Sequence, residues 1–150
     1  MPQSFCQLYA HLVFSTKGRR TWIDDAIRPA MHAYISGALH HLGCADILVG
    51  GTADHVHVLC AMAKTVSAVE MVQKTKQSSS RHLKPLGTTY RDFSWQRGHA
   101  LFAVSPTAVP SARAYIENQA EHHRHVSFQD EFLAILRRAG AQWDDRYVWD

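Results

Sequence analysis

The sequence predicts an α+β fold built on a β-α-β-β-α-β order, and three observations carry that expectation. The segment before Thr16 alternates apolar residues with period two, the mark of a half-buried strand. Two stretches, residues 25–42 and 66–84, place apolar residues at helical spacing. Between them lie two short apolar runs joined by Gly50-Gly51-Thr52-Ala53-Asp54, a composition that favours a turn.

The first strand is expected over Gln7 to Thr16, with Leu8, Ala10, Leu12 and Phe14 on one side and Tyr9, His11 and Val13 on the other. Lys17-Gly18-Arg19-Arg20 forms a basic loop. A helix follows over about Asp25 to Leu42, with Ile27, Met31, Tyr34, Ile35, Ala38 and Leu42 as its apolar stripe. Pro29 belongs in its first turn, and Gly43 ends it. Ala45 to Val49 and His55 to Ala61 are the next two strands. The second helix spans Val66 to Lys84, with Val69, Val72 and Leu83 facing inward. Lys74, Gln77, Arg81 and Lys84 form a polar and basic stripe on it, and Ser78-Ser79-Ser80 weakens it locally. Pro85 to His99 is a long connection, and Ala100 to Val104 the fourth strand. After a loop bracketed by Pro106 and Pro110, an added C-terminal helix carries Tyr115 and Gln119. Phe128 to Ala139 makes a short final helix, followed by the aromatic tail Trp143, Tyr147 and Trp149. The order is the ferredoxin-like pattern: an antiparallel sheet with two helices on one face and the other face open for chemistry or a ligand.

The bulk properties set bounds. A chain of 150 residues is read as one domain, residues 1–150, with its own core. No apolar run approaches the roughly 20 residues of a membrane span. Met1 to Thr16 carries neither a basic lead nor a small-residue cleavage site, so the chain is expected to be mature and cytoplasmic. Cys6, Cys44 and Cys60 are odd in number and never spaced as C-x-x-C, which reads as reduced structural thiols with no disulfide framework. A net charge of +3 with eleven neutral histidines leans mildly towards polyanions and does not by itself decide nucleic-acid binding.

His55-Val56-His57 carries the most chemistry. On a strand, residues two apart share a face, so both imidazoles project together while Val56 and Val58 face the other side. A single strand histidine is usually a packed residue; two side by side make half of a metal site. Tyr115 and Gln119 lie four apart and would stack on one helical face. Alone, Tyr115 reads as an ordinary amphipathic-helix residue. If its helix covers the histidines, the group becomes a metal site beside a nucleophilic phenol. Two imidazole nitrogens and an amide oxygen with open positions suit Mg²⁺ or Mn²⁺ better than a closed structural zinc site. Glu121-His122-His123-Arg124-His125 reads chiefly as a solvated basic helix end, with His122 at the rim of the Tyr115 and Gln119 face. Lys17, Arg19, Arg20, Lys74, Arg81 and Lys84 are either ordinary surface or phosphate contacts. Trp95 either stacks on an unpaired base or plugs the core.

Taken together these residues resemble the single-tyrosine HUH transposases of small bacterial insertion sequences, the IS200-like group, and their domesticated REP-associated relatives. The resemblance covers nearly the whole chain. It rests on Tyr9-Ala10-His11-Leu12-Val13-Phe14-Ser15-Thr16-Lys17-Gly18-Arg19-Arg20, on Asp54-His55-Val56-His57-Val58-Leu59 and on Lys74-Thr75-Lys76-Gln77-Ser78-Ser79-Ser80-Arg81. Tyr115-Ile116-Glu117-Asn118-Gln119 and the tail Trp143-Asp144-Asp145-Arg146-Tyr147-Val148-Trp149 complete it. H-x-H alone is weakly specific; H-x-H followed by Y-x-x-x-Q in so small a chain is strongly so.

The resemblance implies that His55, His57 and Gln119 bind a divalent metal, Mg²⁺ or Mn²⁺. It implies that Tyr115 attacks single-stranded DNA at hairpin-marked element ends, leaving a 5′-phosphotyrosine and a free 3′-OH. A second 3′-OH then rejoins the strands without hydrolysis or ATP. It further implies a homodimer in which one subunit's tyrosine helix can complete the partner's site. Three alternatives stay open: a domesticated HUH nickase, a phosphoesterase that releases its product by water, and a ferredoxin-like RNA- or single-stranded-DNA-binding module. The last is suggested by Arg97-Gly98-His99-Ala100-Leu101-Phe102, although His99 and Leu101 stand where stacking aromatics belong.

Overall fold

The computed structural model describes residues 2–150. Its strands are β1 (Tyr9–Ser15), β2 (Ala45–Gly51), β3 (His55–Ala61) and β4 (Ala100–Val104). Its helices are α1 (Arg28–His41), α2 (Ala68–Leu83), α3 (Val109–Glu117), α4 (Gln119–His122) and α5 (Phe128–Arg138). The sheet order is β2-β3-β1-β4, with every neighbouring pair antiparallel. That is the ferredoxin-like arrangement, α+β as the element order predicts.

Period-two alternation divides β1 between two cores. Ala10, Leu12 and Phe14 join Val56, Val58 and Cys60 of β3 beneath α1 and α2. Val13 faces the other way, into a second cluster with Ala100, Phe128, Phe132, Ile135 and Leu136. The second sheet face is therefore covered by the C-terminal helices. The expectation of an open face is corrected: the apolar stripe of α5 needs a partner, and the sheet supplies it. Leu8 lies before β1 and is 62% exposed, outside the expected strand face.

Helix α1 starts later than the sequence suggests, with Pro29 in its first turn, where a missing N–H costs nothing. Met31, Ile35 and Leu39 are its buried residues. Tyr34 instead stacks on His82 of α2, ring centroids 5.1 Å apart. Helix α2 is capped by Ser67, whose side chain accepts from the Glu70 N–H at 3.1 Å. Its inward face is Met71, Val72, Thr75, Ser79 and Leu83. Val69 is 73% exposed, contrary to expectation, because it sits two residues before Met71 and so on another helical face. The serine run does not break the helix. Ser79 bonds back to the Thr75 carbonyl at 2.7 Å and accepts from Trp95 Nε1 at 3.0 Å. Trp95 is thus a core residue, set edge-on against Phe14 and Phe93.

Gly51, at φ +140, turns the chain between β2 and β3, where an added Cβ would lie 2.3 Å from the His55 carbonyl oxygen. Among the described residues, no helix is long and apolar enough to cross a membrane.

Candidate active site

The central strand β3 places His55 and His57 on the face covered by α3 to α5, and both are fully buried. Each ring is held from behind. His55 Nδ1 lies 2.7 Å from Asp54 Oδ1 and 3.2 Å from Thr52 Oγ1. His57 Nδ1 lies 2.8 Å from His11 Nε2, with those two rings stacked. Both Nε2 atoms therefore point into the space between the sheet and the C-terminal helices. Outer hydrogen bonds of this kind fix ring orientation in metal sites.

Helix α3 lies against β2, and Ile116 packs where Gly50 has no side chain. This brings Tyr115 to the histidines of its own chain, its ring centroid 5.7 Å from that of His57. Tyr115 and Gln119 do not share one continuous helix. Asn118, at φ −98 and ψ 20, breaks the run, its N–H reaching back to the Ala114 and Tyr115 carbonyls. The single-face stacking expected from the spacing is corrected on that point, yet both side chains still reach the site. Gln119 Oε1 lies 3.0 Å from His55 Nε2. The four residues singled out in the sequence thus come together.

Two further residues complete the cluster. Glu131 of α5 is buried, with Oε1 2.8 Å from His57 Nε2. Its Oε2 accepts from the Tyr115 hydroxyl and, at 3.1 Å, from Gln119 Nε2. His123 Nε2 lies 3.0 Å from Gln119 Oε1 and 3.2 Å from Glu131 Oε1. Donor atoms of His55, His57, His123 and Glu131 all lie within 4.8 Å of one another. The run Glu121 to His125 is therefore split, correcting the solvated reading: His123 turns inward, while Arg124 and His125 are exposed. His122 lines the rim, its ring 5.4 Å from that of Tyr115. A signal for Glu131 does exist in the sequence. It stands on the stripe Phe128, Phe132, Ile135, where helical spacing calls for an apolar residue.

The electrostatics follow from burial and from the carboxylate. Burial, reinforced by Glu131, pushes the Tyr115 phenol well above the usual tyrosine range. Burial alone would raise Glu131, but hydrogen bonds from His123, His57 and Tyr115 outweigh it and hold the acid far below its ordinary range. Burial drives His11 down to about 3, keeping it neutral and able to donate to or accept from His57.

A divalent cation fits this donor set. Imidazole nitrogens, an amide oxygen and a carboxylate oxygen converge in a space from which water is largely excluded, with the outer nitrogens already pinned. Beside Tyr115 opens a cleft of about 600 Å³, lined in part by His11, Phe102, Ser111 and Arg138.

The six basic residues divide. Lys17, Arg19 and Arg20 leave β1 at the end where Ser15 pairs with His55. Arg19 lies over Trp149 at 5.2 Å, and Arg20 over Trp22 at 4.4 Å. Lys74 and Arg81 are exposed along α2 and Lys84 just past its end, on the sheet face away from the histidines.

A family model described as "Transposase IS200 like" matches residues 4–119. The chain belongs to that family. The match spans both motifs and stops at Gln119, before His123 and Glu131. Among the solved structures that share the fold are two transposases. One is a candidate transposase from Deinococcus radiodurans, 22% identical, with TM-score 0.59, covering 79% of this chain and 98% of that one. The other is a REP-associated tyrosine transposase bound to a REP hairpin, 12% identical, with TM-score 0.61, covering 84% of this chain and 74% of that one. No curated protein matches the chain.

Proposed function

We propose that residues 1–150 act as a single metal-dependent tyrosine strand transferase that cleaves and rejoins single-stranded DNA at hairpin-marked ends. The observation that carries this reading is the Tyr115 phenol lying against a buried ring of nitrogen and oxygen donors. Family membership and the likeness to a hairpin-bound tyrosine transposase support the substrate class.

In this reading His55, His57 and Gln119 hold the divalent cation, Mg²⁺ or Mn²⁺. The bound ion would supply charge that orients the non-bridging phosphate oxygens and offsets the negative charge of phosphoryl transfer. The chain's own residues do the rest. Asp54 and His11 fix the imidazoles. The Tyr115 oxygen forms the new P–O bond as the bond to the departing 3′ oxygen breaks, giving a 5′-phosphotyrosine and a free 3′-OH. The phenol's proton leaves along its hydrogen bond to Glu131 as the new P–O bond forms, and the departing 3′ oxygen takes up one proton, so none is gained or lost overall. A second 3′-OH then reverses the chemistry, releasing Tyr115 and conserving the bond energy. Lys17, Arg19, Arg20, Lys74, Arg81 and Lys84 would meet the DNA backbone. A homodimer with exchange of α3 belongs to the same reading, beside the arrangement in which Tyr115 serves the histidines of its own chain.

The test is incubation of the full chain with hairpin-containing single strands and Mg²⁺ or Mn²⁺. The expected product is a denaturant-resistant protein–DNA adduct. Tyr115→Phe abolishes it and leaves hairpin binding intact. An adduct that persists in Tyr115→Phe rules out this nucleophile.

A further inference from the structure

We propose that Glu131 and His123 are direct ligands of the same cation as His55 and His57, so that docking of α5 completes an anionic ion site. This deepens the reading above and rests on its metal dependence.

One donor atom each of His55, His57, His123 and Glu131 lies within 4.8 Å of the others, and the partner behind each ring fixes which nitrogen faces in. His55 Nδ1 faces Asp54 Oδ1 at 2.7 Å, and an ionised carboxylate only accepts. The neutral His55 ring therefore carries its proton on Nδ1 and a lone pair on Nε2. His123 Nδ1 faces the Val126 carbonyl oxygen at 2.7 Å, which also only accepts. Neutral His123 likewise presents a lone pair at Nε2. Both lone pairs aim at Gln119 Oε1, 3.0 Å from each, and His123 Nε2 is 3.2 Å from Glu131 Oε1. Reversing the Gln119 amide would satisfy those two nitrogens only at the expense of Glu131. Its nitrogen donates to Glu131 Oε2 at 3.1 Å, and reversal would set oxygen against carboxylate.

Neutral rings thus leave acceptors facing acceptors in a buried space, an arrangement that is costly unless positive charge lies between them. Protons on the rings are one remedy; a divalent cation, which draws on every one of those lone pairs, is the other. Glu131 supplies the one anionic oxygen of the group. Its second oxygen bonds the Tyr115 hydroxyl, so a single carboxylate joins the ion to the nucleophile.

The experiment titrates the full chain with Mn²⁺ and follows free ion by electron paramagnetic resonance. Wild type is compared with Glu131→Gln, Glu131→Asp, His123→Ala and the exposed neighbour Asp130→Asn. Adduct formation of the wild type and metal-free thermal unfolding of every variant are measured in parallel. Glu131→Gln and His123→Ala are each expected to weaken Mn²⁺ binding by roughly tenfold or more. Glu131→Asp should recover part of the loss, and Asp130→Asn should bind as wild type does. Unchanged affinity in Glu131→Gln and His123→Ala, with a wild-type adduct still formed, overturns the ligand assignment and leaves the strand-transfer reading standing. A wild-type chain that binds no Mn²⁺ and forms no adduct overturns both. If Glu131→Gln fails to fold, His123→Ala decides the outcome, since His123 lies just past the end of α4 rather than in a core stripe.

Discussion

The backbone of Gly50 lies directly against Ile116: a β-carbon built on Gly50 would stand 2.7 Å from both the carbonyl oxygen and Cγ2 of Ile116. Ile116 follows Tyr115, so this close approach sets the depth at which α3 carries the phenol over the histidines.

Gly50→Ala should therefore push α3 outward while leaving His55 and His57 in place. A shift of about 1 Å at a reacting group can cost on the order of a hundredfold in rate. We expect adduct formation to fall by roughly that factor, with Mn²⁺ affinity reduced far less. Single-turnover cleavage beside a metal titration separates the two effects. Equal loss in both would place Gly50 in ion binding rather than in positioning.

In the metal-bound reading proposed above, Asp54 would act on the ion through His55. Asp54→Ala removes the acceptor that pins Nδ1, and losing such an outer partner costs roughly 10–100-fold in metal affinity. His55→Ala should abolish binding and cleavage together. Isothermal titration with Mn²⁺ distinguishes graded from complete loss.

Lys76 is a structural cation. Its Nζ donates to the carbonyls of Gln96 and Gly98, each at 2.8 Å, and of Arg97 at 3.2 Å. Burial lowers its pKa to about 8. Lys76→Met would leave those carbonyls of the loop before β4 without their donor, at a cost of about 1–3 kcal/mol. Urea unfolding should register this as a lower midpoint with an unchanged slope.

His32 on α1 gives an acid-side signature away from the site. Burial, aided by the Arg28 charge, lowers its pKa from 6.5 to about 4. Between those values the unfolded chain binds the proton more tightly than the folded one. The contribution of His32 is thus fully present above pH 6.5 and is lost as pH falls towards 4. In His32→Gln the melting temperature should drop less across that window than in wild type, by roughly 2–6 °C. Parallel pH profiles for the two proteins would refute this.

Much of the site was legible because its residues obey local periodicity. His55 and His57 share a face of a strand whose alternate residues, Val56 and Val58, must be buried. Tyr115 and Gln119 are one turn apart, and that spacing survived the break at Asn118 because the chain resumes as helix at once. Residues whose roles depend on packing between distant elements are not legible in the local sequence. Val69 belongs to an apolar pattern yet faces solvent, since the inward face of α2 is set by contact with α1 and the sheet. His123 sits in a run that looks solvated, and only the turn at Val126 aims it inward.

By itself the sequence determined the strand and helix order, the H-x-H and Y-x-x-x-Q motifs and the family they mark, because these depend on residues near one another along the chain. Only the tertiary structure decided that α5 covers the second sheet face and delivers Glu131 to the phenol of Tyr115 and the imidazole of His57. The stripe of α5 must bury its phenylalanines against Val13 and Ala100, and that burial carries the carboxylate in with them.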